Sequence, residues 1–168
     1  QFIRRFQQTC GPAVAKGVED TAIYRWFPLT SLAEVGSRPD EFGISDDAFH
    51  EWALRRSLTW PAALTAASTH DSKRSEDVRA RLAVLSEIPG EWLATARAWS
   101  ARIGPFTPGD EDPDPRLEWL LWQTLVGAWP IDAARLGGYL IKAAREAKIR
   151  TSWTAPDEAY ESAVQSYV

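Results

Sequence analysis

Two groups of polar side chains are spaced for chemistry. The first is His70-Asp71, which closes the short apolar run 62–68 between sequence breakers. That run reads as one buried strand, and the C-terminal end of a strand is where barrel and doubly wound enzymes place catalytic groups. On spacing alone the pair fits equally well a turn capped by Asp71 with an ordinary hydrogen bond from His70. Lys73 and Arg74 follow at once, placed either to orient Asp71 and reach a ligand or to lie in a solvated loop. The second group is Lys16, Glu19, Asp20 and Tyr24, within 13–27. This run is dense in polar groups for a core helix. Its charges suit charge-assisted hydrogen bonds to hydroxyls and its phenol suits stacking, while the plainer reading is a solvated face with ion pairs.

The elements that must position these groups are mostly helical. Phe2 and Phe6 stand four apart with Arg4, Arg5, Gln7 and Gln8 near them, and Gly11-Pro12 is expected to interrupt that helix. An irregular connection with at most a short helix near Leu32 is expected over 28–43. Ser45 before Asp46-Asp47 starts a helix to about Leu58, and Ser75 before Glu76-Asp77 starts another. Further helices are read over 90–103, 116–129, 132–148 and from Pro156 onward. The tally is six or seven helices and one strand, and a strand needs neighbours that this sequence does not supply. An upstream part is therefore expected to be missing.

Composition narrows the classes. The 168 residues, 18.8 kDa, make one domain or one compact piece, and 45% hydrophobic with 25% charged residues can build a core. Nineteen Lys and Arg against 23 Asp and Glu give a net charge of −4, with no basic excess for nucleic acid. No run approaches the roughly 20 apolar residues of a membrane span. Cys10 is alone, so no internal disulfide is possible and a cytoplasmic setting is expected. There is no methionine, and the chain opens inside an amphipathic pattern, which points to an excised fragment. Of nine tryptophans, Trp119, Trp122 and Trp129 share a helical side and are expected in the core, whereas Trp60 and Trp153 beside breakers are expected to be exposed. The acidic stretch Asp110 to Asp114 is read as a solvated loop rather than a calcium site, and neither metal nor cofactor is expected.

Several long motifs are unusual. They are STHDSKRSEDVRAR at 68–81, AKGVEDTAIYR at 15–25, SLAEVG at 31–36, Phe42-Gly43, and KIRTSW at 148–153 followed by EAYE at 158–161. Colinear over most of the chain, they resemble the maltooligosyltrehalose synthases of the α-amylase superfamily. The resemblance implies a mainly α fragment carrying the last part of a (β/α)8 barrel, with 1–74 as a barrel-associated segment and 75–168 as a helical C-terminal part. It implies an enzyme that moves the reducing-end glucose of a maltooligosaccharide from an α-1,4 to an α,α-1,1 link. Asp71 would be the transition-state stabiliser, and His70 would bond a hydroxyl of the same ring. Lys16, Glu19, Asp20, Tyr24, Lys73 and Arg74 would bind substrate.

A retaining mechanism needs two carboxyl groups roughly 5 Å apart. In the superfamily these come from the fourth and fifth strands, upstream of the His-Asp pair, so Glu19, Asp20 and Glu34 are given neither role and the chain alone is expected to be inactive. The implied partners are the maltooligosaccharide, the remainder of the barrel and a trehalose-releasing hydrolase. The alternatives are a hydrolytic amylase relative and a non-catalytic helical carbohydrate-binding or interaction module.

Overall fold

The helix that begins at Phe2 runs through Gly11-Pro12 without stopping. In the computed structural model, which describes residues 1–38, 40–107 and 114–168, α1 (Phe2–Gly17) continues into a π-helical turn (Val18–Ala22) and the short α2 (Ile23–Arg25). Proline removes one backbone donor, yet α1 buries no residue, so water can satisfy the carbonyl that is left over. A 3-10 turn (Thr30–Leu32) follows. Next come α3 (Asp46–Thr59), α4 (Glu76–Val84), α5 (Pro89–Ile103), α6 (Pro115–Ala128), α7 (Ala133–Ala147) and α8 (Glu158–Tyr167).

Side-chain caps set several of these starts. Ser45 Oγ accepts the Ala48 amide at 3.3 Å, Asp132 Oδ1 that of Arg135 at 2.8 Å, and Asp157 Oδ1 that of Tyr160 at 2.9 Å. Ser75 precedes α4 but makes no such bond.

The core lies among α4 to α8, with Leu82, Trp92, Leu120, Trp122, Leu140 and Val164 at its centre. α6 is its axis and packs against both α4 and α7, while α7 packs against α8. Gly127 makes the α4–α6 approach possible: a Cβ there would lie 2.9 Å from Val78 Cγ1. Ile23, Tyr24, Phe27 and Ala33 also enter this core, so the segment joining α2 to the 3-10 turn is clamped to the bundle. Its irregular backbone has no ladder of its own. One face of α6 supplies the missing partners. Arg116 Nη1 donates to Tyr24 O at 3.2 Å, Trp119 Nε1 to Pro28 O at 3.1 Å, and the fully buried Gln123 takes the Thr30 N–H at 2.7 Å on Oε1 while its Nε2 donates to Phe27 O.

Three expectations are corrected. No strand forms at 62–68 or elsewhere among the described residues, and Leu64 is 97% exposed. A solitary strand has nothing to complete its hydrogen bonds. The run instead lies irregularly on the surface, held by Arg56 Nη2 on Leu64 O at 3.2 Å and by Arg79 on Ala67 O. Trp129 is 65% exposed rather than in the core, because α6 ends at Ala128 and the indole falls beyond the buried face. Asp114 is buried, not solvated: it caps α6 through Leu117 N and accepts the Tyr160 hydroxyl. Asp110 to Asp112 lie outside the described residues.

α1 and α3 stand apart from this core. Neither buries a residue, and Phe2, Phe6, Phe49 and Trp52 are all exposed. No described helix is long and apolar enough to cross a membrane.

Candidate functional site

The two polar groups marked in the sequence meet. The Asp20 carboxylate accepts Lys16 Nζ on one oxygen and Lys73 Nζ on the other, both at 2.9 Å. The π-helical turn makes this possible, because the wider helical turn between α1 and α2 shifts the register in which Asp20 and the buried Ile23 and Tyr24 follow one another. Lys73 Nζ also sits 5.8 Å from the centre of the Tyr24 ring. A cation over an aromatic face is attracted by the ring's negative quadrupole.

Charge follows geometry here. The hydrogen bond from Lys16, then that from Lys73, hold the Asp20 carboxyl below the usual carboxylate range. Conversely, Asp20 raises the Lys16 ammonium, with smaller contributions from Asp71 and Glu19. Burial pushes the Tyr24 phenol above its ordinary range, so it stays a neutral hydroxyl at physiological pH. The Lys16–Asp20 pair is 65% exposed on the lysine side and contributes little. Lys73 is only 14% exposed, and its bond is better shielded from water.

The loop bearing His70 and Asp71 hangs from this cluster. Thr69 and Ser72 close it as a turn, with Thr69 N donating to Ser72 Oγ at 2.8 Å and Ser72 N to Thr69 O at 3.2 Å. Asp71 is exposed but lies near enough to Lys16 to act on its ammonium. His70 is exposed and stands outside the network. Arg74 turns the other way, donating to Tyr139 Oη at 2.8 Å and Ala33 O at 3.2 Å, and so belongs to the α7 side.

Two residues of the site escaped the sequence reading. Glu34 accepts the backbone amides of Lys73 and Arg74 at 2.6 and 3.0 Å. Lys148, in the left-handed region at φ 53°, reaches from the end of α7 to Thr21 Oγ1 at 2.6 Å and Asp20 O at 3.3 Å. Both lie inside the unusual motifs, SLAEVG and KIRTSW, which was the only signal for them. Among the described residues no three His, Cys, Asp or Glu side chains gather as a metal site would need.

The chain, mainly helical among its described residues, matches a part of much larger enzymes. These are maltooligosyltrehalose synthases, and the likeness read from the motifs holds over the whole chain. The synthase of Arthrobacter ramosus has a solved structure that is 44% identical over 97% of this chain, with a TM-score of 0.86. A glycosyltrehalose synthase of strain DSM5389 superposes with a TM-score of 0.89 at 39% identity. A Mycobacterium tuberculosis protein named "Putative maltooligosyl trehalose synthase" is 42% identical over 98% of the chain. The chain spans about a fifth of the length of these proteins, 21% of the last and 22% of the DSM5389 chain. No family model matches it.

Proposed function

We propose that this chain is the C-terminal portion of a maltooligosyltrehalose synthase, an intramolecular glucosyl mutase that turns the reducing-end α-1,4 linkage of a maltooligosaccharide into an α,α-1,1 linkage. The observation that carries the reading is the meeting of Asp20 with Lys73, 53 residues away in sequence and two residues past Asp71. It brings Lys16, Asp20, Tyr24 and Lys73, four of the residues that the family resemblance marks, into contact, which supports the reading.

In this reading a carboxylate from the rest of the barrel attacks the anomeric carbon on the non-reducing side of the terminal linkage. The leaving oxygen of the terminal glucose takes a proton from the partner carboxylic acid. The released glucose turns within its subsite, and its anomeric hydroxyl then attacks the glycosyl-enzyme, displacing the carboxylate and returning the proton. Asp71 holds ring hydroxyls more tightly as the ring flattens and gains positive charge, and His70 bonds a hydroxyl of the same ring. Lys16, Glu19, Asp20 and Lys73 form the polar wall of the reducing-end subsite, with Tyr24 beneath Lys73 and Arg74 bracing the wall from the α7 side through Tyr139. Water must be kept out for the glucose hydroxyl to win. The nucleophile and acid belong to the remainder of the barrel, so the chain alone is inactive.

Residues 1–74 then form the barrel-associated part and 75–168 the helical C-terminal part. The exposed apolar faces of α1 and α3 support the remainder of the barrel as their cover. The setting is cytoplasmic, and the partners are the maltooligosaccharide and a trehalose-releasing hydrolase that consumes the product.

The test uses the full-length protein on maltopentaose, following reducing ends and free glucose together. Loss of reducing ends without matching glucose, abolished by Asp71→Asn, is the expected result. A rise in reducing ends makes the protein a hydrolase, and sugar binding with no turnover that Asp71→Asn alters makes it a binding module.

A further inference from the structure

One carboxylate in this structure accepts three backbone amides. Glu34 Oε1 takes the N–H of Val35 at 2.8 Å and of Lys73 at 2.6 Å, and Oε2 takes that of Arg74 at 3.0 Å. Arg79 Nη1 stands 3.8 Å from Oε2, and the Glu34 side chain is 13% exposed. Such charge-assisted bonds, sheltered from water, are among the stronger ones a loop can make.

The position of Glu34 is itself fixed. Its N–H donates to Ser37 Oγ at 3.0 Å, and that hydroxyl lies 2.7 Å from Glu34 O and 2.6 Å from Leu32 O. Gly36 closes the turn at φ 72°, a conformation that residues with a Cβ rarely adopt. Behind it, Thr30 is pinned to Gln123 of α6. A rigid path therefore leads from the core helix to a carboxylate whose two oxygens face the backbone immediately after Asp71-Ser72.

We propose that Glu34 is the positioning residue of the His70-Asp71 loop. It grips the loop by the amides of Lys73 and Arg74, so that Asp71 is held at one height and the Lys73 side chain is directed to Asp20 rather than into solvent. The inference rests on the assignment of Asp71 as transition-state stabiliser and adds the group that sets where Asp71 stands. Glu34 acts only through the loop and does not enter the chemistry.

The roles of loop and holder separate in one experiment on the full-length protein, comparing wild type with Glu34→Gln. Glutamine keeps the reach but leaves only one oxygen acceptor for the two amides. Hydrogen exchange of the peptide 69–75 reads the grip directly. The fraction of turnovers that release glucose from maltopentaose reads the loop's position, and it does not depend on how much of the enzyme is folded. Exchange faster by about tenfold, with the glucose fraction rising several-fold and kcat falling more than KM changes, is the expected outcome. Glu34→Asp, which keeps the charge but falls short by one methylene, should show the same pattern and serves if the glutamine variant fails to fold. Unchanged exchange overturns the grip. Faster exchange with an unchanged glucose fraction overturns the positioning role and leaves Glu34 a fold residue. A wild-type protein that only hydrolyses sinks the function reading and this role together, while the exchange result still reports on the amide bonds.

Discussion

Lys73 Nζ and Asp20 Oδ1, of residues 53 apart in sequence, lie 2.9 Å apart and join two motifs. The bond closes the site from below, because Lys73 leaves the His70-Asp71 loop and Asp20 leaves the π-helical turn. Asp20→Asn replaces an acceptor of two ammonium groups by a neutral amide. The expected cost to stability is about 1 kcal/mol, since the pair is only partly shielded from water. Because the Asp20 carboxyl is held below its ordinary range, that stability is present at neutral pH and fades as pH falls below about 4. Thermal melts of both proteins at pH 7 and pH 3 decide it: a gap that does not narrow between pH 7 and pH 3 contradicts the assignment.

The pair Arg145–Glu161 makes a stronger case. Arg145 Nε and Nη2 meet the two carboxylate oxygens at 2.7 and 2.5 Å, Thr151 Oγ1 adds a third bond at 2.6 Å, and the arginine lies over the Trp153 ring at 4.9 Å. The hydrogen bond from Arg145 leads in holding the Glu161 carboxyl below its usual range. Glu161→Gln should lower stability by about 2 kcal/mol at pH 7, through the lost charge-assisted bonds between α7 and α8. The difference should shrink as pH falls below about 4, because the carboxyl binds its proton more readily in the unfolded chain than beside Arg145. Chemical denaturation across that range provides the readout.

How much of this was legible depended on whether the signal was local. Ser45, Asp132 and Asp157 declare their helices because a cap needs only a side chain and an amide three residues away. The polar density of 13–27 and the unusual stretch at 68–81 were both visible as candidate sites, since each is a feature of neighbouring residues. Their contact was not, for nothing local says that Asp20 meets Lys73. The same holds for Glu34 and for Asp114, whose burial depends on Tyr160 of α8. The run 62–68 misled for a related reason: apolar spacing proposes a strand, and only distant neighbours can make one. Gly11-Pro12 misled because a proline stops a helix reliably only where water cannot serve the freed carbonyl.

Tyr160 carries a prediction of its own. Its hydroxyl donates to Asp114 Oδ2 at 2.8 Å, and the same carboxylate caps α6 through Leu117 N at 3.0 Å. Tyr160→Phe should cost about 1 to 2 kcal/mol by stripping a bond from a buried carboxylate. Burial first, then the Asp114 charge, push this phenol well above its ordinary range. A phenol kept neutral in the fold gives stability that is whole below about pH 10 and is lost as the unfolded chain ionises above it. The tyrosine protein should therefore lose stability faster than the phenylalanine variant between pH 9 and 11. Parallel slopes would show that Tyr160 is not held neutral.

Gln123 sets the height of everything above it. It is wholly buried in α6 and holds the backbone at two points, accepting the Thr30 N–H and donating to the Phe27 carbonyl. Gln123→Leu keeps the volume roughly but leaves the Thr30 N–H buried without an acceptor, at a cost of about 2 kcal/mol. The loss should also be local in kind. Arg116 and Trp119 still hold Tyr24 and Pro28, so the segment loosens at its far end, toward Glu34, rather than coming away. Hydrogen exchange should accelerate over 30–37 and then over 69–75, because Glu34 hands the motion on to the amides of Lys73 and Arg74, while the α7–α8 contact keeps its protection. Acceleration spread evenly over all helices would mean that Gln123 serves only the core. Acceleration in 30–37 that stops short of 69–75 would mean that the path from α6 to the Asp71 loop is broken at Glu34.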